Sequence, residues 1–332
     1  MTILAFGTST SELNPEGNIV ASNISATVSA SQIAPNVVEG ISIKATAQAL
    51  FPGLQFTPTA DVWVSFYAYA TLTGAGSLPF CVLSGGGVEL FRLYQKTPGA
   101  LIQYHNGSSW VDSGTIFSQP TNVAIRFDFH VVIHDTTGTL TVYQDGTEQT
   151  STTFAAGDTL LRGEANVDDV RFDNHQPSGT EFFYLSAVIV ATVDTRMFIY
   201  SQRALDGAGS ETDWSGAYTD INESGSDDTD FIQSGVTADK ATYTFAALPA
   251  AYSVGWDVVG LGVSARASKG ATSPANLQLA ARHGTTNGFS ASKSLSAVFG
   301  PHQDIFILNP DTASAWTFAE ADAAEVGVQA IT

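Results

Sequence analysis

Cysteine is all but missing: Cys81 stands alone in a chain of 332 residues. An intrachain disulfide is therefore excluded, and the fold must be held by packing. A lone cysteine inside an apolar stretch reads as a small buried hydrophobe. Basic residues are also scarce. Thirteen Lys and Arg stand against thirty-two Asp and Glu, a formal net charge of −19, and such a balance repels phosphate backbones and anionic membrane surfaces. Neither nucleic acid nor membrane is an expected partner. Met1 to Glu12 carries no basic residue and only the short apolar run Ile3–Phe6, so no signal peptide or spanning helix is expected and synthesis belongs in a cytoplasm. Sequons at Asn23, Asn106 and Asn222 then read as chance matches.

Long amphipathic helical patterns are missing too, whereas strand periodicity is plentiful. Between Asn122 and Asp135 the residues Val123, Ile125, Phe127, Phe129, Val131 and Ile133 alternate with mixed neighbours, the mark of a strand with one buried face. Val62 to Leu72 is rich in aromatic and β-branched residues. Thr139 to Phe154 sets Asp145-Gly146 between two strand-like halves, a hairpin signal. Further strands are expected at Phe182–Val193, Met197–Ser201, Thr242–Ala246, Val254–Ala267, Asn276–Ala281 and Gln303–Leu308, with an Ala-rich turn of helix at Phe318–Glu325. Recurrent Gly, Ser and Thr turns favour a sandwich or jelly roll over an α/β fold. The length exceeds one usual core. From Asp206 to Asp230 eight acidic residues occur with no Lys or Arg, so the expected division is residues 1–205 and 206–332, the second part opening on an acidic linker.

Thr139–Gly146 (TLTVYQDG), followed by Phe183–Ala191, resembles the concanavalin A-like, laminin G-type jelly roll. Asp194–Arg196, Trp214–Gly216, Tyr218–Asp220, Asp239–Tyr243, Ala315–Thr317 and Glu325–Val328 resemble a family of tailed-bacteriophage virion structural proteins. The resemblance implies an all-β chain: a concanavalin A-like jelly-roll sandwich, then a second, smaller β-sandwich. It implies a non-enzymatic virion component displayed on the particle, as capsid decoration, fibre or tail part. Its partners would be other virion proteins and further copies of itself as a homo-oligomer. The alternative is an adhesin of the adsorption apparatus that binds host surface glycan; a glycan hydrolase is the third reading.

Several constellations invite chemistry. Glu320 and Glu325 have the spacing of a glycosidase acid pair, but they lie outside the jelly roll in a segment whose composition favours helix. His130 and His134 share an expected outward strand face with Arg126 and Asp128, yet at about 3.3 Å per residue they stand roughly 13 Å apart, too far to share an ion alone. A solvated or interface face is expected there. No Gly-x-Ser-x-Gly elbow nominates a nucleophile. Gly74–Gly76, Gly85–Gly87 and Gly207–Gly209 lack what phosphate cradling needs and read as turns. No cofactor is implied apart from calcium, for which Asp227, Asp228 and Asp230 supply oxygen ligands, with Asp168, Asp169 and Asp173 as a second group; each also reads as a solvated acidic loop. Tyr104, His105, Asn106 and Trp110 sit around the Asn106-Gly107 turn, and Tyr104, Asn106 and Trp110 combine a flat apolar face with an amide, the chemistry a glycan site uses. The competing reading is a hairpin whose Trp110 packs inward.

Residues Thr8–Ala34 are Ser-, Thr-, Asn- and Ala-rich and bury little apolar area alone. They read either as an arm that adds to a neighbouring subunit's sheet edge or as the first strand of their own jelly roll.

Overall fold

A computed structural model describes residues 3–7, 24–25, 41–44, 53–70, 79–96, 99–117, 123–152, 159, 161–172, 182–222, 228–248, 256–271 and 274–332. The chain divides into two compact units, Met1–Tyr200 and Ser201–Thr332.

Unit 1 contains strands β1 (Ile3–Gly7), β2 (Ile24–Ser25), β3 (Ile41–Lys44), β4 (Gly53–Thr59), β5 (Asp61–Ala70), β6 (Pro79–Gly85), β7 (Val88–Lys96), β8 (Gly99–His105), β9 (Trp110–Phe117), β10 (Ile125–Val132), β11 (Thr139–Gln144), β12 (Thr147–Thr152), β13 (Val167–Arg171) and β14 (Phe182–Ala191). One sheet runs β12-β11-β10-β5-β14-β3-β2, with β1 also paired to β14; the other runs β4-β13-β6-β7-β8-β9. All these pairings are antiparallel. The two sheets form the expected all-β sandwich.

Alternation builds this core. Phe127, Phe129 and Val131 of β10 turn inward beside Val62, Val64 and Phe66 of β5 and Leu140 and Val142 of β11. Leu83, Phe91, Leu93, Ile102, Val170 and Phe172 face them from the second sheet. Phe66 joins the layers: its ring stacks on Phe127 at 5.6 Å and meets Phe172 edge-on at 4.9 Å. Replacing Phe66 by Ala would cost about 3–5 kcal/mol, transfer free energy plus cavity. The β11–β12 hairpin turns on Asp145 (φ 46°) and Gly146 (φ 78°). Two successive positive φ values make the type I′ turn that suits strand twist.

β1 pairs with β14, and β2 pairs with β3, within this unit's own sheet. The rest of Thr8–Ala34, on which the arm reading rests, lies outside the described residues.

Unit 2 contains β15 (Leu205–Thr212), β16 (Lys240–Phe245), β17 (Leu261–Ala267), β18 (Asn276–His283), β19 (Thr286–Phe289), β20 (Lys293–Ser294), β21 (Gly300–Phe306), helix α1 (Phe318–Asp322) and β22 (Glu325–Ile331). Its larger sheet runs β15-β16-β22-β18-β19, with β20 on β18, and β17 pairs with β21. Val263 of β17 packs on Leu277 and Leu279 of β18, against Val326 and Val328 of β22. This is the smaller sandwich. Arg203 ties its start to its end: the guanidinium lies 3.6 Å from the Phe245 ring centroid and donates to the Ala246 and Ala321 carbonyls and to Asp322.

Three expectations need correction. The stretch opening at Asp206 is not a linker, because Leu205–Thr212 is an edge strand whose residues alternate between half-buried and exposed; a strand with one wet face reads as linker by composition. Met197–Ser201 is not a strand. The helix expected over Phe318–Glu325 ends at Asp322, and Glu325 opens β22.

Candidate functional site

The β8–β9 hairpin was expected to gather Tyr104, Asn106 and Trp110, and the structure separates them. Pairing sets Tyr104 opposite Val111 and His105 opposite Trp110, and neighbours along a strand face opposite sides. Tyr104 therefore packs against the core with Ile102. The side chain of Asn106 is used by its own turn, its Oδ1 accepting from the amides of Ser108 (3.0 Å) and Ser109 (2.9 Å). Gly107 completes that turn at φ 92°, a value that favours glycine. Trp110 lies on the outer face, half-buried; the inward-packing reading fails because its cross-strand partner, His105, points outward.

Around Trp110 the outer face of the six-stranded sheet carries a line of polar side chains. The Arg92 guanidinium sits 3.9 Å from the Trp110 ring centroid and 4.9 Å from that of Tyr94. Its Nε donates to Gln103 Oε1 at 2.6 Å, and Gln103 Nε2 donates to Asp112. These three residues lie opposite one another on β7, β8 and β9. Further along, Arg171 pairs with Asp169 at 2.8 Å and donates to Ser84 Oγ at 2.7 Å. His105 meets the Trp110 ring edge-on at 5.3 Å. Its Nδ1 accepts from the Gly107 amide, which puts the neutral ring's proton on Nε2. Desolvation, then the charges of Arg162 and Arg92, hold the His105 pKa below its ordinary value. Of this group, Trp110 and His105 stood out in sequence beside the Asn106-Gly107 turn, and Asp169 only as a calcium ligand. Arg92 and Gln103 were legible only as outward positions of alternating strands.

The outer face of the larger sheet is neither solvated nor open where Asp128 lies. Residues 194–200 cross it, and Asp128 is fully buried. Arg126 binds Asp128 through Nε and Nη2, and donates to the carbonyls of Thr195 and Phe198; Thr195 Oγ1 also donates to Asp128 at 3.0 Å. Beside this clasp Trp63 stacks on His130 (4.3 Å) and Tyr143 (5.8 Å), while Arg196 lies over Tyr143. The crossing segment explains why Met197–Ser201 forms no strand: its backbone is held by Arg126. His134 falls beyond β10, where its Nδ1 accepts from the amides of Thr136 and Thr137. Ile133 still packs into the core, so His134 keeps an outward course, but it is engaged by its own turn.

The remaining candidates are dispersed. Asp228 pairs with Arg266 through two bonds of 2.6 and 2.8 Å, Asp230 is exposed, and Asp227 lies outside the described residues. Asp168 accepts from the Gly86 amide at 3.1 Å and Asp169 holds Arg171; Asp173 is outside the described residues. Among the described residues no three His, Cys, Asp or Glu side chains are placed to hold a metal ion. Glu320 caps α1 through Thr317. Glu325, on β22, accepts from Ser210 and Thr242. Both carboxylates are thus engaged in structural bonds.

No family model and no curated protein matches the chain. Solved structures similar to it include a sialidase, at 12% identity and a TM-score of 0.34 over 53% of this chain. An alginate lyase from Corynebacterium sp. aligns at 11% identity, with a TM-score of 0.36, over 57% of this chain and 92% of its own. Domain 4 of AbnA, an extracellular arabinanase from Geobacillus stearothermophilus solved with arabinotriose, aligns at 15% identity, with a TM-score of 0.34, over 57% of this chain and 91% of its own. The chain spans 17% of the length of the sialidase.

Proposed function

We propose that this protein is a non-catalytic saccharide-binding protein whose ligand lies along the outer face of the six-stranded sheet. The observation that carries this reading is the half-exposed Trp110 indole, held by Arg92 beside the Gln103–Asp112 pair. A sugar ring offers an apolar C–H face to an aromatic ring and hydroxyl groups to amides, carboxylates and guanidiniums. Because Arg92 and His105 already fix the indole, little side-chain entropy remains to be lost on binding. The resemblance to tailed-phage virion proteins extends the proposal: the face is displayed on a particle, among other virion proteins, and meets host glycan.

The test is an immobilised oligosaccharide array probed with the full-length protein and with Trp110→Ala. Binding by the wild type, weakened about tenfold or more in a variant that melts at an unchanged temperature, supports the reading. An array without a bound sugar, or shortened saccharide chains after incubation, counts against it.

A lattice-bound structural role is the second reading, favoured by an apolar spot on unit 2. Val298 is 73% exposed and Phe231 is 46% exposed, with the Phe231 and Phe299 rings 5.9 Å apart. Exposed apolar patches of this kind mark association surfaces. If that role holds, Phe231→Ser with Val298→Asp should lower the sedimentation coefficient of an oligomer. An unchanged coefficient would remove it.

A further inference from the structure

Of the eight arginines in the chain, six are in ion pairs: Arg126 with Asp128, Arg171 with Asp169, Arg196 with Asp194, Arg203 with Asp322, Arg266 with Asp228 and Arg282 with Glu211. Arg92 and Arg162 have no carboxylate partner among the described residues. In a chain with more than twice as many acids as bases, pairing is the expected state of an arginine. The two exceptions meet along one strand: Arg92 stands on β7 with its guanidinium 3.9 Å from the Trp110 ring centroid, and Arg162 donates to the carbonyl of Glu89, three residues earlier on β7.

We propose that the saccharide face selects sugars bearing a carboxylate, read by the Arg92 guanidinium against Trp110 and by the Arg162 guanidinium at Glu89 of the same strand; this rests on the saccharide-binding reading above. Among the described residues Arg92 uses only Nε in a hydrogen bond, to Gln103, and its two Nη groups meet no acceptor. Two Nη groups on a planar fork fit the two oxygens of a carboxylate. Arg162 reaches the same neighbourhood from the turn Leu161–Gly163, its Nη1 only 3.4 Å from the Glu89 carbonyl oxygen. Its backbone is left-handed, φ 59° and ψ 16°, a conformation that costs a non-glycine residue energy and recurs where a side chain must be aimed.

Two carboxylates face the same spot, and both have other partners. Glu89 lies 3.7 Å from Arg171, and Asp112 accepts from Gln103. Both charges act on Arg92 and offset part of the positive charge that the two arginines bring to the surface.

The experiment uses full-length protein and an array holding hexuronate and sialyl oligosaccharides as free acids, the same compounds as methyl esters, and neutral glucose- and galactose-based oligosaccharides. Esterification removes the charge and leaves the rings intact. The expected result is tighter binding of one or more free acids than of their esters, by about tenfold or more. Arg162→Asn, which keeps the left-handed backbone, should bring the acid down toward its ester with an unchanged melting temperature. Esters or neutral sugars bound as tightly as acids would overturn the acid preference and leave saccharide binding standing. An acid preference that survives Arg162→Asn removes the role given to Arg162. Failure of every sugar to bind would overturn both readings.

Discussion

The guanidinium carbon of Arg92 lies 3.9 Å from the centroid of the Trp110 ring, two strands away across the sheet in the order β7-β8-β9. A flexible cation thus fixes a flat apolar ring on an otherwise polar face, at a gain of about 0.5–1 kcal/mol for an exposed pair.

The Arg126–Asp128 clasp holds residues 194–200 over the larger sheet. Removing the Asp128 carboxylate leaves Arg126 nearly buried and without its ion-pair partner, the situation in which broken buried pairs cost about 3–5 kcal/mol. Urea denaturation of Asp128→Ala is expected to show unit 1 destabilised by that amount. A loss below about 1 kcal/mol would mean that the clasp contributes little.

Acid should weaken unit 2 through Glu325. Burial alone pushes its carboxyl pKa up, but bonds from Ser210 and Thr242 and the charge of Arg282 bring it below the ordinary value. A carboxylate depressed in the folded state adds stability that is complete above the unfolded-state value, about 4.3. That stability is lost as pH falls through the folded value. Urea midpoints measured from pH 6 down to pH 3, followed on the ring signals of Trp316, should fall more steeply for the wild type than for Glu325→Gln. Equal slopes would exclude Glu325 as the source.

Cys81 should be inert. It is 2% exposed within the sandwich core, and burial followed by the nearby Asp169 charge pushes its thiol pKa far up. Since the thiolate is the reactive form, a thiol reagent should leave the native protein unmodified and label it at one site in denaturant. Rapid labelling of the native protein would show that the core opens.

Much of the sandwich was legible because alternation over β5 and β10 and the Asp145-Gly146 turn are local signals. What escaped depends on contacts distant in sequence. Residues 194–200 carry β-prone side chains, yet Arg126, some seventy positions earlier, fixes their course. Leu205–Thr212 has the composition of a linker because only one of its faces is packed. The candidate glycan residues sit on the expected hairpin, but register divides them between its two faces: His105, not Tyr104, lies opposite Trp110. A one-residue shift reverses every side chain, and no feature of the residues around Asn106 fixes it.

The central claim is that saccharide binds at Trp110 on the outer face of the six-stranded sheet. The most direct measurement is a nuclear magnetic resonance titration of the isotope-labelled protein with the tightest-binding oligosaccharide from the array. Shifts are expected at the Trp110 indole N–H, the Gln103 side-chain amide and the Arg92 Nε–H, with the Asp128 clasp and unit 2 silent. Shifts confined to unit 2 or to the larger sheet, with the Trp110 indole unmoved at saturation, would contradict the account.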